Sequence, residues 1–121
     1  MLDCVLVGIG GFFGTVMRYL IGLTPTKSES GFPFKTLIIN VLGAFLIGLI
    51  AALAMNDKSL NQHLVLMLKV GVCGGFTTFS TFAYENAGLI QGGHGLLAFV
   101  YILLSIVLGI LAIYSAQLII R

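Results

Sequence analysis

The chain has 121 residues, 59% of them hydrophobic and 8% charged, with a formal net charge of +2 at pH 7. Soluble domains carry roughly a quarter charged residues, so a water-soluble fold is excluded and an all-α integral membrane protein is expected. The charge is thin and scattered, without the basic cluster that nucleic acid requires, so nucleic acid is excluded as a partner.

Crossing a hydrocarbon core of about 30 Å takes about 20 apolar residues. The first candidate span, 2–23, begins with Asp3 and lacks the basic flank and small-residue cleavage site of a secretory signal, so it is expected to remain as structure. Gly10, Gly14 and Arg18 follow one another at i, i+4. That spacing gives a bare face for close helix approach and then presents a cation. Near the end of a span, an arginine either snorkels to the interface or faces protein or water as a partnered charge.

Residues 24–35 contain Pro25, Lys27, Ser28, Ser30, Gly31 and Pro33 and read as a polar loop. The second span, 34–55, has one strongly polar member, Asn40, followed by Gly43, Ala44, Ile47 and Gly48. An intramembrane asparagine commonly serves as interhelical glue, which composition alone favours here. Its amide is also a suitable donor for a dehydrated anion. After a short polar turn at 56–62, the third span runs over 63–90.

This third span is interrupted by Gly74-Gly75-Phe76-Thr77-Thr78-Phe79-Ser80-Thr81-Phe82, two glycines and four hydroxyls inside an apolar segment. The run predicts a broken helix near the bilayer midplane. Lipid offers no hydrogen-bond partner, so the freed backbone groups must find protein, water or an ion. Phe76, Phe79 and Phe82 recur every third residue and share a face where helix resumes. Packing is the expected role for Phe76, and a functional one for Phe79 and Phe82. Glu85 falls three residues beyond Phe82, on roughly the same face, whereas Lys69 reads as a head group reaching toward water. His63 and His94 lie at segment ends, where a solvated histidine is expected. Cys4 and Cys73 have no metal-type spacing and read as small buried hydrophobes.

The fourth span, 96–120, follows a glycine-rich turn and carries Tyr101, Ser105 and Gly109 at i, i+4, a narrow stripe of hydroxyls and bare backbone. Residues 1–121 thus form one four-helix transmembrane domain. With four spans both termini share one side, and the cations balance. Lys58, Lys69 and Arg121 fall on or near the terminal side, and Arg18, Lys27 and Lys35 on or near the other. Because loop cations set orientation, this balance predicts insertion both ways and assembly as an antiparallel two-fold homodimer.

The run Gly10-Gly11-Phe12-Phe13-Gly14-Thr15-Val16-Met17-Arg18-Tyr19, Asn40 with Gly43, and the run from Gly74 to Phe82 followed by Glu85 resemble the Fluc (CrcB-type) fluoride channels over essentially the whole chain. The resemblance implies a multi-pass protein of the bacterial cell membrane. It implies a dual-topology antiparallel homodimer with two fluoride pores and a central structural sodium ion. It would place the sodium on the backbone carbonyls of Gly74 and Thr77. It would line the pore with Asn40, Phe79, Phe82, Tyr101 and Ser105, to which the central-run hydroxyls of Ser80 and Thr81 are expected to add, with vestibule or structural roles expected for Arg18 and Glu85. Where some members carry a third track hydroxyl, this chain has Gly109.

Backbone oxygens suit a hard cation such as sodium, and aromatic ring edges are electropositive enough to face an anion. The alternative is a small dual-topology, proton-coupled exporter of cationic compounds. It would need an intramembrane carboxylate, for which only Glu85 is placed well inside a span. An enzyme is not expected, because no nucleophile with a base or metal cluster is present.

Overall fold

The computed structural model describes residues 1–25 and 31–120. Lys27, Ser28 and Ser30 of the predicted loop, and Arg121 of the charge balance, lie outside the described residues. Four helical segments are long and apolar enough to cross a membrane: Leu2–Gly22, Phe34–Asn56, Gln62–Gln91 and Gly95–Ile120. The described residues contain no strand. The first two segments are α1 (Leu2–Gly22) and α2 (Phe34–Asn56), and the fourth is α6 (Gly95–Ile120). The third is composite: α3 (Gln62–Leu66), a π-helical stretch (Met67–Cys73), α4 (Gly74–Phe76), and α5 (Phe79–Gln91) after an extended pair, Thr77 and Thr78.

Helices in lipid gain little from apolar burial against one another, so close backbone approach decides which faces pair. The face of α1 that carries Gly10 and Gly14 is buried, and it lies against the π-helical stretch and α4. A Cβ on Gly10 would sit 2.5 Å from the Met67 carbonyl oxygen. One on Gly14 would collide with the Val72 carbonyl oxygen. The opposing face is equally bare: a Cβ on Gly71 would lie 2.8 Å from Val7 O, and one on Gly75 2.7 Å from Gly11 O. On the other side of the bundle α2 meets α6, where a Cβ on Gly48 would lie 3.0 Å from Ile113 Cα. Ala116 of α6 is fully buried at the same place.

Ends are tied by side chains that reach orphan helix-terminal carbonyls, as helix termini require. Lys35 Nζ donates to Gly22 O at 2.9 Å, where a cation also complements the negative end of the α1 dipole. Asn56 Nδ2 donates to Ile120 O at 2.9 Å. His63 is not simply solvated, because its Nδ1 lies 2.6 Å from Asp3 Oδ1 and links the starts of α1 and α3. In the turn after α2, the Asp57 carboxylate accepts from the Ser59 hydroxyl and backbone N–H, which holds its carboxyl below the usual range. Gly93 turns the chain into α6 with φ 82°, a conformation that L side chains rarely adopt.

Cys73 and Phe76 are buried, as expected of packing residues, whereas Cys4 is exposed on α1. The difference follows from helical phase, since position 4 falls off the Gly10/Gly14 face. Gly14→Ala is therefore expected to cost about 1–3 kcal/mol by overpacking and to lower the thermal midpoint in detergent by several degrees. Gly8→Ala, where an added Cβ meets nothing within 4 Å, should leave it unchanged; equal midpoints for the two would remove the glycine contact as the organiser of this half of the bundle.

Candidate functional site

A second set of polar groups, away from the helix ends, gathers around the extended pair. Thr77 (φ −81°, ψ 159°) and Thr78 (φ −149°, ψ 116°) leave the helical region, so the carbonyls before them lose their i+4 donors and the amides after them their acceptors. Asn40 of α2 replaces part of this loss in both directions. Its Oδ1 accepts from Thr78 N–H at 2.7 Å and its Nδ2 donates to Thr78 O at 3.1 Å. A primary amide presents an acceptor and a donor side by side, so it pairs with one residue's backbone as a neighbouring strand would. The Thr78 hydroxyl then caps α5 by accepting from Thr81 N–H at 3.2 Å.

On the α1 side, Arg18 Nε donates to Gly75 O at 3.1 Å, and Thr15 Oγ1 lies 3.5 Å from the same oxygen. The Cys73 carbonyl accepts from both the Thr77 N–H and the Thr77 hydroxyl. Among the described residues, no hydrogen bond reaches the carbonyls of Gly74 or Thr77, and the extended Thr77 and Thr78 carry the i+4 donor away from Phe76 O. These are bare hard oxygens of the kind that coordinate a small cation.

Two cavities open on either side of Thr78. The first, of about 400 Å³, is lined by Asn40, Thr77, Thr78, Phe79, Phe82, Ser105 and Ile106. The Ser105 hydroxyl is buried there without a hydrogen-bond partner. The Phe79 and Phe82 rings lie 6.1 Å apart at 45°. Phe82 in turn meets Tyr101 nearly edge to face at 5.0 Å and 66°, and Tyr101 meets Phe32 at 5.4 Å and 71°. Phe82 is thus fixed by the aromatic cluster behind it, while Phe79 is 79% exposed and faces out of the bundle.

The second cavity, of about 470 Å³, is lined by Arg18, Lys35, Thr36, Thr81 and Glu85 among others. Glu85 does not reach for an interface: Thr36 Oγ1 donates to its Oε2 and Tyr101 Oη to its Oε1, each at 3.0 Å. Tyr101, fully buried, therefore touches both sides, its ring on Phe82 of the first cavity and its hydroxyl on Glu85 of the second.

The residues singled out from sequence thus divide between two places. Asn40, Phe79, Phe82 and Ser105 converge on the first cavity, and Arg18, Thr81 and Glu85 on the second. Ser80 is exposed and lines neither, and Gly74 is exposed beside the extended pair. Sequence reasoning missed Thr36 and Asn86, both buried. Thr36 falls four residues before Asn40 on α2, an i, i+4 signal that was there to be read. Asn86 Nδ2 donates to Phe82 O at 2.9 Å, and its position beside Glu85 gave no separate cue.

The profile of the family described as CrcB-like protein, Camphor Resistance (CrcB), matches residues 5–117. The chain is 46% identical to a protein of Chlorobaculum tepidum named fluoride-specific ion channel FluC, over 98% of this chain and 94% of that one. It is 50% identical to a protein of the same name from Ruminiclostridium cellulolyticum, over 88% of this chain and 82% of the relative. To the Clostridium perfringens protein of that name it is 39% identical, over 97% and 92%.

Asn40→Ala would leave both the Thr78 N–H and C=O without their partner, at about 1–3 kcal/mol for each buried group. A lower thermal midpoint and faster hydrogen exchange at the Thr78 amide are expected. Asn40→Asp keeps an acceptor for that amide and should retain its protection while losing the bond to the carbonyl. Unchanged exchange in Asn40→Ala would show that the amide pairing is not what holds the extended residues.

Proposed function

The chain belongs to the CrcB-like family, and from that premise we propose that it is a fluoride-specific ion channel of the bacterial cell membrane, through which fluoride leaves the cell passively and cytoplasmic fluoride falls. It is a multi-pass transport protein and not an enzyme. The observation that carries the reading is the first cavity, where an amide, hydroxyls and two phenylalanine rings converge on one space.

Fluoride is small and holds its water strongly, so a conducting path must replace that water with several donors and still release the ion. Asn40 spends one amide hydrogen on Thr78 and has a second to offer, and the Ser105 hydroxyl has no partner among the described residues. Phe79 and Phe82 add ring edges, the positive rim of the aromatic quadrupole. Chloride is larger and is rejected by the narrow donor lining. Thr36 and Tyr101 hold both oxygens of Glu85, which keeps the carboxylate's charge engaged away from the anion. Thr81 belongs to the approach through the second cavity, where Arg18 and Lys35 supply positive charge. Ser80, which lines neither cavity of the protomer, is assigned to the face that a second copy covers.

The functional unit in this reading is an antiparallel homodimer. The first cavity opens on the outside of the protomer, with Phe79 exposed, and an anion cannot travel along a surface bathed in hydrocarbon. A second copy closes the groove and gives two pores, and the balanced cations allow the two copies to insert in opposite directions. The third span is then a helix broken near the midplane at Thr77 and Thr78. The carbonyls of Gly74 and Thr77, which lack hydrogen bonds, would hold the structural sodium ion. When bound, that ion supplies a fixed positive charge and a ligand-mediated join between the copies.

Liposomes loaded with potassium fluoride and containing purified protein are expected to release fluoride rapidly when valinomycin carries the counter-charge, and to retain chloride. Phe79→Ile and Phe82→Ile should each reduce the flux at least tenfold while the dimer still forms. No fluoride release from inserted dimer would reject the channel reading and bring forward proton-coupled export of cations through Glu85; full flux in both variants would return the two rings to packing roles.

A further inference from the structure

Among the described residues, Arg18 is the one cation bonded to the backbone beside the extended pair. Its Nε donates to Gly75 O, the carbonyl whose i+4 partner, Phe79 N–H, is carried away by the extended Thr77 and Thr78. Among the described residues the neighbouring carbonyls at Gly74 and Thr77 carry no hydrogen bond, and Phe76 O has lost its i+4 donor in the same way. Of four successive carbonyls released at the end of α4, one is therefore filled by a tethered positive charge. The contact has little freedom to drift. A Cβ on Gly75 would lie 2.7 Å from Gly11 O and 3.1 Å from Thr15 Oγ1, so this backbone is pressed against α1. The α1 helix itself is held by the Gly10 and Gly14 contacts. Thr15, three residues before Arg18 on the same helix face, approaches the same oxygen.

Resting on the sodium reading above, we propose that Arg18 is a positioning residue that sets the selectivity of the cation site, by withholding the Gly75 carbonyl from it and fixing a like charge next to the Gly74 and Thr77 carbonyls. Two consequences follow from elementary electrostatics and coordination chemistry. The guanidinium, always charged, repels a second cation and lowers its affinity, by more in a low-dielectric interior than in water. Occupation of the Gly75 oxygen removes one potential ligand. Fewer oxygens favour small sodium over potassium, because larger cations take more ligands and ligand number governs cation choice. A site between two copies thus accepts one small cation and does not become a cation path through an anion channel.

The test is the thermal midpoint of the purified full-length protein in detergent, titrated with sodium, potassium or choline chloride at constant ionic strength. The parent is expected to be stabilised by sodium and not by potassium. Arg18→Met removes both the charge and the donor; the sodium concentration giving half the stabilisation should fall about tenfold, and potassium should begin to stabilise. Arg18→Lys keeps the charge and should stay within about twofold of the parent. If Arg18→Met does not fold, Arg18→Gln carries the test: with a neutral donor retained, its sodium requirement should drop several-fold without potassium acceptance. An unchanged or higher sodium requirement in the neutral variants overturns the proposal, as does Arg18→Lys behaving like Arg18→Met. A parent indifferent to sodium relative to choline would reject the sodium site itself, and the role of Arg18 with it. That result is distinguishable because it appears before any substitution is made.

Discussion

The structure depends on one constraint: a backbone that leaves the helical path inside a membrane must have its polar groups satisfied by protein, water or an ion. Each unsatisfied group in hydrocarbon costs several kcal/mol, more than a single side-chain bond returns. At Thr77 and Thr78 the bonds come from three directions. Asn40 of α2 takes the Thr78 backbone, Arg18 of α1 takes Gly75 O, and the hydroxyls of Thr77 and Thr78 take groups of their own span. The extended pair thus persists because two other helices are pinned against it, and those helices are placed by their glycines.

That placement explains why the chain can spend so many small residues on packing. Gly10 and Gly14 against Gly71 and Gly75 bring α1 and the third span to backbone contact, which puts Arg18 within reach of Gly75. Gly48 does the same for α2 and α6, and with that pair in contact Asn40 and Thr36 face Ser105 and Tyr101 across the polar interior. The aromatic chain from Phe32 through Tyr101 to Phe82 then sets one wall of the first cavity. Side chains held in this way rest on close backbone contacts, which is what a preorganised site requires.

The four apolar segments were readable in the sequence, because runs of about 20 consecutive apolar residues match the thickness of a bilayer and exceed what a small soluble core can bury. The run from Gly74 to Phe82 also stood out, since two glycines and four hydroxyls contradict an uninterrupted membrane helix. The π-helical stretch Met67–Cys73 was not readable: MLKVGVC has no composition that separates an i+5 ladder from an i+4 one, and the wider turn arises where the stretch is pressed onto α1. The pairing of Glu85 with Thr36 and Tyr101 joins residues 49 and 16 positions apart, and no local pattern encodes that. Nor did spacing divide the candidate residues into two cavities, since Thr81 and Phe82 are adjacent in sequence yet line different ones.

Asn40 shows that holding a backbone and lining a cavity are compatible roles for one polar residue. An amide offers two donor hydrogens and two acceptor lone pairs. The pairing with Thr78 takes one of each, which fixes the plane and leaves the second hydrogen aimed by the first. A donor freed from all structural bonds would be better supplied with hydrogens but would have to be ordered again each time a ligand arrived, and that reorganisation cost is what preorganised sites avoid. The same logic covers Tyr101, whose hydroxyl is committed to Glu85 and whose ring is thereby held against Phe82. In Asn40 the structural bond aims the remaining donor into the cavity, and in Tyr101 it braces the ring that backs Phe82.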